Sequence, residues 1–104
     1  MSAAGSRYMG LMARLGCVVC KRGFPTGESV EVHHVAQGSG KRNDFATVPL
    51  CEAHHRGGAG LHGMGTKAFC ALYRPPFDNE YGLLVWAAQD LEALLWQAGM
   101  RLAA

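Results

Sequence analysis

No histidine occurs before His33 or after His62 in this 104-residue chain, yet five are crowded between those positions, in two adjacent pairs and a single. The chain also lacks any apolar run near the roughly 18 residues that a membrane-spanning helix requires. Its opening, MSAAGSRYMGLMARLG, has no unbroken apolar core of the signal-peptide type. Both absences lead to the expectation of a soluble, cytoplasmic protein with no membrane partner. In that reducing compartment the four cysteines are expected as metal ligands or buried thiols rather than disulfides. HEXXH is missing, which removes the commonest metalloprotease signature. Internal repeats are missing too, and the length suits one domain over residues 1–104. Charge of one sign is not in large excess, and a net +2 is too small to prove a polyanionic partner. Its distribution is uneven, however. Residues 1–50 hold Arg7, Arg14, Lys21, Arg22, Lys41 and Arg42 against Glu28, Glu31 and Asp44, so the N-terminal half is the basic one.

What the chain has in quantity is glycine, 14 residues clustered toward the middle. So much loop in so short a chain leaves a small core, and a non-hydrophobic staple is expected, with metal the obvious candidate. Short regular elements can be read around the loops. Tyr8, Leu11, Met12 and Leu15 recur at helical spacing and predict an amphipathic helix over Arg7 to Leu15. CVVCKRGFPTGE reads as a turn-rich knuckle. SVEVHHV alternates and predicts a strand from Ser29 to Val35; FATVPL predicts a second, short one that Pro49 keeps from lengthening. CEAHHRGG fits about two helical turns ended by Gly57 and Gly58. A Gly-rich loop follows, then a helix in TKAFCALY stopped by Pro75 and Pro76. A terminal helix over about 81–102 is expected to carry its apolar stripe on Leu84, Ala88, Leu91, Leu95, Ala98 and Leu102.

The ligand types sort by spacing. A structural zinc ion takes four soft or borderline ligands in tetrahedral array, often as two short-spaced pairs. Cys17 and Cys20 form one pair on a turn, and Cys51 and His54 form the other at i and i+3 on one helical face. Spacing alone leaves His55 open as well, at i+4 from Cys51. Cys70 has no short-spaced partner and reads as a buried inert thiol. His33 and His34 are neighbours on a strand and point to opposite faces, so they cannot easily serve one ion. One of them can bind metal while the other faces substrate, where an imidazole of unperturbed pKa ~6.5 suits removal of a proton from water. His55 and His62 with one strand histidine would make three protein ligands with open positions, the form of a catalytic metal site.

Together CVVC, EVHHV, GSGKRNDFATVPLC, EAHH and the later LH resemble the zinc-stapled HNH (ββα-metal, His-Me finger) endonucleases. DFATVPLCEAHHRG is similar in particular to phage and prophage proteins of the recombination-enhancement, RecA-dependent nuclease type. The resemblance covers roughly Cys17 to Tyr73, a motif core of 17–73. It implies an α+β fold, a small ββα-metal domain with a zinc knuckle, flanked by an N-terminal helix and a long C-terminal helix. It implies that His34 is the general base and that His33, His55 and His62 hold the catalytic ion. In more typical members three residues separate the last pair of the motif; here six intervene, three of them glycine. The middle Asn of HNH, which holds the loop and the base by hydrogen bonding, has Thr47 in its place, and a hydroxyl can make only some of the bonds of an amide. Asn43 lies nearby in the chain.

The reaction so implied is metal-assisted phosphodiester hydrolysis on DNA, in phage or prophage recombination or repair. The cofactors are a structural zinc and a catalytic divalent ion, magnesium or zinc, that neutralises charge at the scissile phosphate and leaving 3′ oxygen. Lys41 and Arg42 on the loop between the strands, with Arg56 and Lys67, are the candidates for phosphate contacts. The resemblance adds a RecA-type recombinase filament as a partner. A second reading is a non-catalytic zinc-dependent DNA- or protein-binding module. Thr47 speaks for it. The His33–His34 pair speaks against it, because a structural module needs no unliganded histidine beside its metal.

Overall fold

The computed structural model describes residues 2–35 and 42–99 of the chain. In order these form α1 (Ala3–Leu15), a single 3-10 turn (Cys20–Arg22), β1 (Val30–His34), β2 (Thr47–Cys51), α2 (Glu52–His55), α3 (Leu61–Met64), α4 (Thr66–Tyr73) and α5 (Tyr81–Gln97). The fold is mixed α+β, a two-stranded sheet with helices at both ends. No helix among the described residues is long and apolar enough to cross a membrane.

Helix α1 begins ahead of the expected Arg7 because Ser2 caps it, its hydroxyl accepting the Gly5 N–H at 2.9 Å. Met12 and Leu15 are its main contribution to the core. β1 and β2 pair antiparallel, with Val30 opposite Cys51 and His34 opposite Thr47. Pro49 has no N–H to lend, but its carbonyl accepts the Val18 N–H at 3.1 Å and ties the knuckle segment to β2. All five residues of β2 are buried. They lie in a core with Val18, Val19, Phe69 and Leu83, which α1, α4 and α5 close over.

Helix α2 closes after four residues, about one turn instead of the two expected, and two further elements depart from the sequence reading. The stretch read above as a plain Gly-rich loop contains α3, and its glycines are required by close backbone approach. A Cβ on Gly60 would lie 2.8 Å from the His54 carbonyl carbon, and one on Gly63 would strike the Gly57 carbonyl. The chain therefore folds back tightly enough for His62 to return toward α2. In α5 the buried face is Gly82, Leu83, Trp86 and Ala87, not the expected stripe; Ala88 and Ala98 are exposed, and Leu84, Leu91 and Leu95 only half-buried. A segment as apolar as YGLLVWAA offers more than one hydrophobic face, and contacts from elsewhere choose between them. Gly82 fits beneath Pro75 and Phe77, where a Cβ would lie 2.8–2.9 Å from both. Arg22 lies 4.7 Å over the Trp86 ring and pairs with both Asp90 oxygens at 3.0 and 3.1 Å, clasping the knuckle to α5. The helix also stops at Gln97, short of the expected 102. Gly99 takes a left-handed φ of 80° there, and Ala98 N–H closes on the Leu94 carbonyl. Residue 102 lies outside the described residues.

Candidate functional site

Among the described residues, two groups of side chains able to ligate a metal meet at α2: one takes His54, the other His55. In the first, Cys17 and Cys20 come from the knuckle, Cys51 from the end of β2 and His54 from the next turn. Cys51 is the N-cap of α2, which is why a four-residue helix suffices to aim His54 at it. His54 Nδ1 lies 3.5, 3.6 and 3.2 Å from the sulfurs of Cys17, Cys20 and Cys51, and the Cys20 and Cys51 sulfurs are 3.7 Å apart. One ring nitrogen cannot hydrogen-bond three sulfurs at once. A tetrahedral ion with sulfurs at about 2.3 Å and nitrogen at about 2.0 Å would separate its ligands by roughly 3.4–3.8 Å, so the four atoms fit zinc. The electrostatics agree. Burial pushes the Cys17 thiol up to about 12, so a thiolate there needs a cation beside it. Burial of Cys20 acts in the same direction but is outweighed by hydrogen bonds from Thr26 and the neighbouring cysteines, which hold its thiol below the ordinary range. Burial lowers His54, keeping it in the neutral form a ligand must have.

The second group is His33, His55 and His62, with ligand atoms within 4.8 Å of one another. His55 Nε2 lies 3.2 Å from His33 Nδ1 and 3.1 Å from His62 Nε2. Nitrogens at about 2.0 Å from a tetrahedral ion would be roughly 3.3 Å apart, so this set too fits a metal, and three imidazoles match zinc or a neighbouring transition metal better than magnesium. His62 is lowered by burial and by the nearby His55 and His33, and so stays neutral. His33 is buried, His55 half-buried and His62 exposed, which leaves one side of the group open. The unused ring nitrogens are held by carboxylates. Glu80 Oε1 lies 2.5 Å from His33 Nε2, and Glu31 Oε1 lies 2.8 Å from His55 Nδ1. Such partners fix the tautomer and orientation of a ligand histidine and raise its basicity.

His34 joins neither group. Its Nε2 lies 3.0 Å from Asp44 Oδ1, and Arg42 donates to its Nδ1 at 3.0 Å. Thr47 is fully buried and donates its hydroxyl to the Asp44 carbonyl at 2.9 Å; Asn43 shapes the same turn by accepting the Phe45 N–H. Of the proposed phosphate contacts, Arg56 is exposed and engaged with Glu31 at 2.6 Å, Lys67 is exposed on α4, and Lys41 lies outside the described residues. Cys70 is buried, its thiol raised by burial and then by Asp78 and Glu80. Sequence reasoning missed Glu31, Glu80, Asp44 and Thr26. Glu31 had a signal, since it shares a strand face with His33 two residues on. Glu80 had none: 47 positions separate it from His33.

No curated protein matches the chain, and no solved structure does. A family model described as recombination enhancement, RecA-dependent nuclease, matches residues 1–92. That span takes in α1, the Cys17–Cys20 and Cys51–His54 pairs, all five histidines and α5 as far as Glu92, well beyond the motif core of 17–73. By that match the chain belongs to the recombination-enhancement, RecA-dependent nuclease family.

Proposed function

We propose that the protein is a metal-dependent endonuclease of the HNH (ββα-metal) type, acting as one domain over residues 1–104 and hydrolysing phosphodiester bonds in DNA. The observation that carries this reading is the group of three imidazoles, His33, His55 and His62, open on one side and backed by Glu80 and Glu31. A site that only stapled the fold would have four ligands and no open face. The order β1, β2, α2 supports it further, as does the family name, which carries nuclease action in recombination.

A divalent ion held there, zinc or a transition metal by the donor set, would supply a Lewis acid for the scissile phosphate. The remaining work belongs to the chain. His34 takes the proton from the attacking water through Nδ1. Thr47 holds the turn before β2 through its hydroxyl bond to the Asp44 carbonyl. Arg42 and Lys67 hold phosphates without reading bases. The Cys17–Cys20–Cys51–His54 group holds a structural zinc. The alternative, a non-catalytic zinc-dependent DNA- or protein-binding module, draws its support from Thr47.

The test is cleavage of supercoiled plasmid by protein of measured metal content, alone and with a recombinase filament on homologous single strands. We expect cleavage that requires a divalent ion and His55, and a higher rate with the filament, in keeping with the family name. DNA binding without cleavage under every condition would favour the binding module.

A further inference from the structure

Resting on that reading, we propose that Asp44 is the positioning residue of the base: it holds the His34 ring in the tautomer that leaves Nδ1 free to accept a proton, and Gly5 on α1 makes the room it needs. Two partners of His34 point to that tautomer, and once Arg42 leaves the ring for phosphate the Asp44 bond alone holds it. The Asp44 carboxylate can only accept, so at 3.0 Å it places the ring proton on Nε2. The Arg42 guanidinium can only donate, so at 3.0 Å it places the lone pair on Nδ1. Arg42 is exposed, and its exchange from the ring to a substrate phosphate uncovers that lone pair for the water.

Asp44 is itself fixed from three directions. Thr47 donates to its carbonyl at 2.9 Å. The turn that carries it is closed by Ala46 N–H on the Asn43 carbonyl, also at 2.9 Å. Its carboxylate rests against Gly5, where a Cβ would lie 2.5 Å from Oδ2 and 2.9 Å from the Asp44 Cβ. Gly5 is buried in the first turn of α1, where the exposed N–H groups of a helix favour a negative charge. Glycine is a poor helix residue, and the contact with Asp44 gives a reason for it at this position.

The experiment compares Asp44→Ala, Asp44→Asn and Gly5→Ala with His34→Ala in the metal-loaded full chain. Plasmid cleavage and the His34 ring-nitrogen chemical shifts are read for each variant that keeps the ring. We expect Asp44→Ala and Asp44→Asn to slow cleavage by about 10- to 100-fold, less than the ~100- to 10,000-fold loss of a general base. With DNA bound, so that Arg42 is on phosphate, the proton should redistribute from Nε2 toward Nδ1. Gly5→Ala improves the intrinsic helix propensity of α1, yet should lower cleavage in the same direction with metal content unchanged. It carries the test if the Asp44 variants fail to fold. Native cleavage rates in these variants, or slowed cleavage with the His34 tautomer unmoved, would overturn the positioning role while leaving the nuclease reading intact. Native cleavage by His34→Ala would instead overturn both.

Discussion

The four-ligand and three-ligand groups share neighbouring residues of one short helix, yet they differ in ligand number, burial and the bonds that back them. His54 turns into a group with two of its three cysteines buried. His55 turns to a group whose third member, His62, is exposed. The supporting bonds differ as well. Besides the Thr26 hydroxyl on Cys51, the sulfurs are backed by main-chain N–H groups, Cys20 N–H on Cys17 and His54 N–H on Cys51, both at 3.5 Å, which form only when the turns form. Imidazoles are backed by the carboxylates of Glu80 and Glu31, which can be altered without changing the backbone. On the proposed reading, the first arrangement would couple metal to folding and the second would tune a site that the fold already holds.

The largest expected effect separates the two groups. Cys20→Ser should abolish cooperative thermal unfolding, because a structural zinc is worth on the order of 10 kcal/mol of folding free energy, against about 1.5–3 kcal/mol for one buried aliphatic side chain such as Leu50. His55→Ala should keep its melting transition and lose cleavage. Equal loss of melting temperature in the two would show that the division between staple and reactive site is misplaced.

A smaller effect divides the strand pair. His34→Ala should retain metal and DNA affinity while cleavage falls by ~100- to 10,000-fold. His33→Ala should lower metal occupancy and recover part of its cleavage as metal concentration is raised. Metal loss in His34→Ala would transfer the ligand role to that residue.

Smaller again is the effect of the backing carboxylates. Glu80→Gln should weaken metal binding at the three-histidine group by about 10- to 100-fold, read by competition with a chromophoric chelator, and leave the cysteine group loaded. Weakening of both groups would mean that Glu80 serves the fold instead. The smallest is Arg42→Ala, which should flatten the salt dependence of DNA binding by about one unit of log slope without changing metal content. An unchanged slope would leave Arg42 as a partner of His34 alone.

Spacing and strand parity were enough to pair Cys17 with Cys20, to narrow the partner of Cys51 to His54 or His55, and to set His33 and His34 on opposite faces, because backbone periodicity is local and follows from a few residues. The order of helices and strands, apart from the four-residue α3, was legible for the same reason. What the tertiary structure decided lies between distant segments. It brought Glu80 to His33 and Asp44 to His34, packed Gly5 beneath Asp44, and made the glycines after α2 a tight return that carries His62 back to His55. It also chose the buried face of α5, where local pattern offered several apolar faces and Arg22, Pro75 and Phe77 selected one. Local sequence fixes which way a side chain leaves the backbone, whereas the group it meets depends on how the whole chain closes over its core.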